Sequence, residues 1–221
     1  MSPIDVHGFC LQVPKAELHL HIEGTLEPEM MLALAKRNGL KAPYASVEAA
    51  RAAYDFADLQ SFLDLYYAGC AVLVKREDFF DLAWAYLKKC AEENVTHTEM
   101  MFDPQTHMAN GVAFETVLNG LIDAQSAAQN QLGVTSSLVM CFLRHLSEAD
   151  ALKTLELALP HKHHLAAVGL DSAELGHPPA KFVNVMAKAR AAGLKTVAHA
   201  GEEGPAQFVW DAMEMLQGVA Q

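Results

Sequence analysis

Positive charge is scarce in this 221-residue sequence, which sets 16 Lys and Arg against 27 Asp and Glu for a formal net charge of −11. No run of lysine and arginine makes a basic stripe. Nucleic acid and anionic membranes are therefore poor candidates for the main partner, and a small neutral or cationic substrate fits better. Cysteine is sparse and scattered: Cys10, Cys70, Cys90 and Cys141 form no CxxC pair, so zinc-ribbon and thioredoxin-like readings lose support. Cys70, Cys90 and Cys141 sit among apolar neighbours and read as small core residues, which suits reduced thiols in a cytoplasmic protein. No apolar run approaches the roughly 20 residues of a membrane span. The opening MSPIDVHGFCLQVPKAE lacks the basic and apolar regions of a secretory signal. Phosphate-binding glycine loops are also missing. Where an open nucleotide-binding sheet would place GxGxxG, after the first strand-like segment, this chain reads HIEGTLEPEM. No repeat of 20–50 residues or low-complexity segment is visible.

What remains is an ordinary globular composition, 52% hydrophobic and 19% charged, expected to form one domain over residues 1–221. Five short segments read as buried strands: 17–22, 95–102, 134–143, 165–171 and 195–200. Helical spacing marks 28–38, 58–74 and 77–93 as an insert between the first two strands, and further helices near 112–131, 148–160, 179–192 and 205–217. Strands alternating with helices imply a parallel sheet. Histidines and carboxylates fall at strand C-termini, where barrel enzymes keep their chemistry. The expected fold is therefore α/β: a TIM (β/α)8-type barrel of which about the first five β/α units are present. A complete open α/β metal-binding protein is the alternative.

The chemistry-bearing residues lie in two stretches. In ELHLHIEG, residues i and i+2 of a strand share a face, so His19 and His21 project together, with Glu17 expected beside them. Two imidazoles on one rigid strand suit a single metal ion, or a hydrogen-bonded core pair. In TVAHAGEEGP, His199 ends a strand and Glu202 follows three residues later, beyond a small Ala-Gly pair. That cluster adds a third nitrogen donor and a carboxylate able to act as general acid and base. At the end of the fourth strand, Asp171 and Glu174 in GLDSAELGHPP are candidate substrate contacts, or acids that cap a helix entry. His107 and His145 divide between pocket-lining and structural readings, and the HKHH tract at 161–164 reads as exposed.

Together, PKAELHLHIEGTLEPEMML and TVAHAGEEGP resemble the adenosine/adenine deaminase family of metal-dependent hydrolases, and the likeness runs through essentially the whole chain. The resemblance implies a zinc barrel with His19, His21 and His199 as ligands of one zinc ion. It makes Glu202 the proton shuttle as a zinc-activated water attacks C6 of a purine. Adenosine-specific members carry Asp where this chain has Glu23, and glycine near Glu174. The larger residues here would crowd a ribose, so Glu23 and Glu174 point to the bacterial and fungal adenine deaminase branch and to a free purine base. That branch implies conversion of adenine to hypoxanthine and ammonia, with adenosine deamination as the alternative. The family's later motifs, a sixth-strand histidine and an adjacent aspartate pair, do not occur before the chain stops at LQGVAQ. The expectation is a C-terminally truncated deaminase with little or no activity by itself, of poor solubility or dependent on another piece, with a non-catalytic remnant as the competing reading.

Overall fold

The computed structural model describes residues 5–217 and the backbone of Val219–Ala220. The expected α/β alternation is observed. Strands β1 (Lys15–His21), β2 (Val95–Phe102), β3 (Thr135–Leu143), β4 (Leu165–Asp171), β5 (Lys195–Ala198) and β6 (Val219–Ala220) form one parallel sheet in sequential order, half of a barrel. The sequence pattern predicts five strands, the fifth ending at residue 200. The structure ends β5 earlier and pairs Val197 with Val219 to begin a sixth. Gly218 and Gln221, also within the expected 1–221 domain, lie outside the described residues.

Ten α-helices accompany the sheet among the described residues: α1 (Val6–Gln12), α2 (Pro28–Arg37), α3 (Val47–Ala52), α4 (Leu59–Cys70), α5 (Arg76–Glu92), α6 (Pro104–Ala109), α7 (Phe114–Leu132), α8 (Glu148–Ala158), α9 (Val183–Ala191) and α10 (Gln207–Met215). Their ends follow local chemistry. Pro28 opens α2, where its missing N–H has no helical partner to lose. Asp58 and Ser61 form a reciprocal capping box at the start of α4, and Ser147 caps α8. Gly133 closes α7 with φ 70°, a left-handed conformation costly for other residues. None of the described helices is long and apolar enough to cross a membrane.

The main core lies between the sheet and the helices on its outer face. Met100, Phe102, Leu138, Met140, Phe142, Val168 and Leu170 from the strands meet Phe79, Leu82, Val117, Leu121, Leu155 and Val185 from the helices. Helices α5 and α7 approach closely because Gly120 carries no side chain; a Cβ there would lie 2.5 Å from the Arg76 carbonyl oxygen. The inner face holds a smaller apolar cluster of Met101, Val139, Cys141 and Ala167 with Val197 against it.

Strand β1 departs from simple alternation. Glu17 pairs with Thr98 and Leu20 with Met100, so β1 advances three residues while β2 advances two. The extra residue reverses the side-chain parity. Glu17 therefore turns outward to accept a 2.5 Å hydrogen bond from Tyr86 of α5, not onto the imidazole face as strict alternation required. His21, beyond the bulge, pairs with the inward-facing Met101 and stays on the inner side.

Candidate functional site

The C-terminal ends of β1 and β5 bring three imidazoles together. Nε2 of His199 lies 2.8 Å from Nε2 of His19 and 3.2 Å from Nε2 of His21. Nitrogens bound tetrahedrally to one zinc at 2.0–2.1 Å stand roughly 3.3 Å apart, close to this arrangement. The outer ring nitrogens fix the tautomers. Nδ1 of His199 lies 3.1 Å from the Leu170 carbonyl oxygen and must donate to it, which leaves Nε2 with a free lone pair. Nδ1 of His21 lies 3.5 Å from Oδ2 of Asp171, and this carboxyl orients the ring in the same sense. Burial lowers the His19 pKa and takes those of His21 and His199 down to about 4, with the neighbouring imidazoles adding to the effect at His21. The donor set fits a transition metal: three convergent nitrogens with lowered pKa values, two of them held from behind.

Glu202 stands in the irregular loop after β5 and lines the same cavity as the three histidines. Partial burial, aided by Glu174 and Glu203, raises its pKa above the usual carboxylate range. Beneath the loop Glu174 is fully buried and accepts from three amides: Gly201 N at 2.8 Å, Glu203 N at 2.8 Å and Gly204 N at 2.7 Å. Those donors, with Arg144, outweigh the upward push of burial and hold the Glu174 carboxyl below its ordinary range. Gly204 permits this approach, because a Cβ there would lie 3.0 Å from Cδ of Glu174 and 2.5 Å from the Phe208 ring.

The cavity, ≈ 380 Å³, runs from the histidines to an aromatic wall on α4 made by Phe62, Leu63, Tyr66 and Tyr67. Its floor includes Asp103 and Asp171, and both are pushed up in pKa by burial and by nearby acids. One carboxyl oxygen of each, Oδ1, is buried without a hydrogen-bond partner.

The expected substrate contacts separate. Asp171 lines the cavity, whereas Glu23 and Glu174 do not. Glu23 lies behind the wall, accepting from the Asp103 amide at 2.9 Å and the Tyr66 hydroxyl at 3.2 Å, with His107 Nε2 at 3.1 Å. Burial raises the Glu23 pKa, but these donors outweigh it and bring it below the usual value. His107 is fully buried in this network, and His145 bonds Ser172 at 2.8 Å. Asp103, Tyr66 and Tyr67 were not read as site residues from sequence. FDPQTH did contain the signal, an acid immediately after a strand C-terminus.

The adenosine deaminase family profile matches residues 14–219. The chain is 62% identical over 205 residues to an adenine deaminase of Acinetobacter baylyi, covering 93% of this chain and 62% of that protein. It is also 62% identical over 209 residues to an adenine deaminase of Rhodospirillum rubrum, covering 95% and 63%. Among solved structures, the adenine deaminase from Arthrobacter aurescens is 50% identical with a TM-score of 0.90, covering 93% of this chain and 63% of that one. An amidohydrolase from Burkholderia ambifaria, solved with bound Zn, is 26% identical with a TM-score of 0.87, covering 99% and 61%. The chain thus spans 62–63% of the length of these two curated relatives.

Proposed function

This chain belongs to the adenosine deaminase family, and from that premise we propose that its site serves zinc-dependent hydrolytic deamination of free adenine to hypoxanthine and ammonia. The observation that carries the proposal is the convergence of three Nε2 atoms, 2.8 and 3.2 Å from one to the next, in the cavity that Glu202 also lines. His19, His21 and His199 would hold one zinc ion. Zinc held there would supply Lewis-acid activation. Glu202, with its raised pKa, would take a proton from the attacking water and deliver it to the ring nitrogen as the C6–O bond forms. The exocyclic amine leaves as ammonia, so adenine and water balance hypoxanthine and ammonia. Phe62, Tyr66 and Tyr67 offer flat apolar surfaces against which a purine packs. Asp171 fixes the orientation of His21 and borders the base.

Free adenine is preferred to adenosine for two reasons. The relatives at 62% identity carry the name adenine deaminase, and the Glu23, Tyr66 and Asp103 network fills space behind the cavity with buried, mutually bonded groups. The test follows the loss of adenine absorbance with the zinc-loaded chain, alongside adenosine. Faster turnover of adenine supports the reading, and faster turnover of adenosine refutes the free-base assignment.

A further inference from the structure

Glu174 and Arg144 are both fully buried, and neither lines the cavity. Their charged groups lie 3.5 Å apart, a long separation for an ion pair, and each is satisfied mainly by backbone. Arg144 donates from Nε and Nη2 to the His177 carbonyl oxygen at 2.9 and 2.7 Å, and from Nη1 to the His199 carbonyl oxygen at 2.8 Å. Its own amide donates to the Asp171 carbonyl oxygen at 2.9 Å, which ties it to the end of β4. Glu174 accepts the amides of Gly201, Glu203 and Gly204, on both sides of Glu202. Gly201 is exposed, and Gly201 and Glu202 belong to no regular element. A loop of that kind is free to move unless its backbone is tied. Burying two charges is costly and is not in itself a source of stability. Here the two charges instead fix backbone positions, through bonds stronger than neutral groups would make.

We propose that the buried Arg144–Glu174 pair is a brace that positions Glu202 for proton transfer while leaving the metal-binding nitrogens untouched. Glu174 acts through Glu202 and is a positioning residue, not a substrate contact. The inference rests on the proton-shuttle reading of Glu202.

The test uses Glu174→Gln, which keeps the shape but sets an N–H donor against at least one of the three amide donors. In the zinc-loaded chain, E174Q is expected to lower kcat for adenine at least tenfold, with KM within twofold and zinc content unchanged. The double variant E174Q/E202Q is expected to be no slower than E202Q alone, because a brace has nothing left to position. Additive losses would reduce Glu174 to a general fold support, and a raised KM at constant kcat would make it a substrate contact. Either result overturns the proposal. Wild-type turnover by E202Q would refute the shuttle reading instead. Amide hydrogen exchange examines the brace independently of any rate. In the unsubstituted chain Gly201, Glu203 and Gly204 are expected to exchange slowly, and E174Q is expected to accelerate them at least tenfold while amides of β2 and β3 stay protected. Fast exchange at these three amides in the unsubstituted chain overturns the brace, as does unchanged exchange in E174Q.

Discussion

Among single residues, the grouping of His19, His21, His199 and Glu202 was legible because metal and acid–base chemistry needs few residue types at fixed strand positions, and the fold brings all four to one cavity. Glu17 was misplaced by the period-two rule, since a one-residue bulge that nothing in KAELHLH announces turned it toward Tyr86. Glu23 and Glu174 were recognised as distinctive side chains, but distance along the sequence hid what covers them. Glu23 meets His107, 84 positions away, and Glu174 meets a loop about 30 positions away. Replacing His199 with Ala removes the nitrogen shared by both short N···N contacts. It is expected to weaken zinc binding by well over tenfold, read by competition with a chromophoric chelator. Unaltered affinity would remove His199 from the donor set. Gly204→Ala forces a Cβ against Phe208 and Glu174. It is expected to cost about 1–3 kcal/mol in urea unfolding, the usual range for overpacking a filled site.

Among the elements, long helices and buried strands were readable from periodicity and caps, as in α7, β3 and β4. The short helices α1, α3 and α6, of six or seven residues, left too few turns to show a period. The start of α5 shows how the insert is fastened. Asp78 is fully buried, accepts from the Val74 and Lys75 amides at 2.9 and 2.8 Å and from Asn38 at 2.8 Å, and pairs with Arg37 of α2. Burial pushes the Asp78 carboxyl up, but the amides and Arg37 outweigh it and the pKa falls below its ordinary value. Asp78→Asn is expected to destabilise the chain by about 2 kcal/mol at pH 7, the range for losing hydrogen bonds to a buried charged group, since Arg37 is partly exposed and keeps Asp81. The sign of the pH dependence follows from the lowered pKa. The Asp78 contribution is complete above the unfolded value near 4 and is lost as pH falls through the lower folded value. The difference between parent and variant, measured by urea midpoints, should therefore narrow from pH 6 toward pH 3. A constant difference would show that the ionised carboxylate is not what stabilises this corner.

The whole molecule is a parallel sheet wrapped halfway round, with its main core on the helical side. Alternating strand and helix patterns, with histidines and carboxylates at strand ends, made that barrel-type architecture readable, while the sixth strand, two residues long, lay below what patterning resolves. Leu18 is 54% exposed and Trp210 57%, with Met213 and Met215 of α10 also exposed. The order of strands leaves one backbone edge of β1 without a strand among the described residues. Leu18 on that edge and the separate apolar face of α10 both favour association. Light scattering of the 221-residue chain is accordingly expected to rise in apparent mass with concentration; a constant monomer mass would show that these surfaces are shielded.

The chemistry proposed for the site requires the imidazole cluster to hold a metal. Native mass spectrometry after equilibration with zinc at neutral pH is expected to find one zinc ion per chain, lost when His19 and His21 are both replaced by alanine. Retention of zinc by that double variant, or no zinc on the unsubstituted chain, would contradict it.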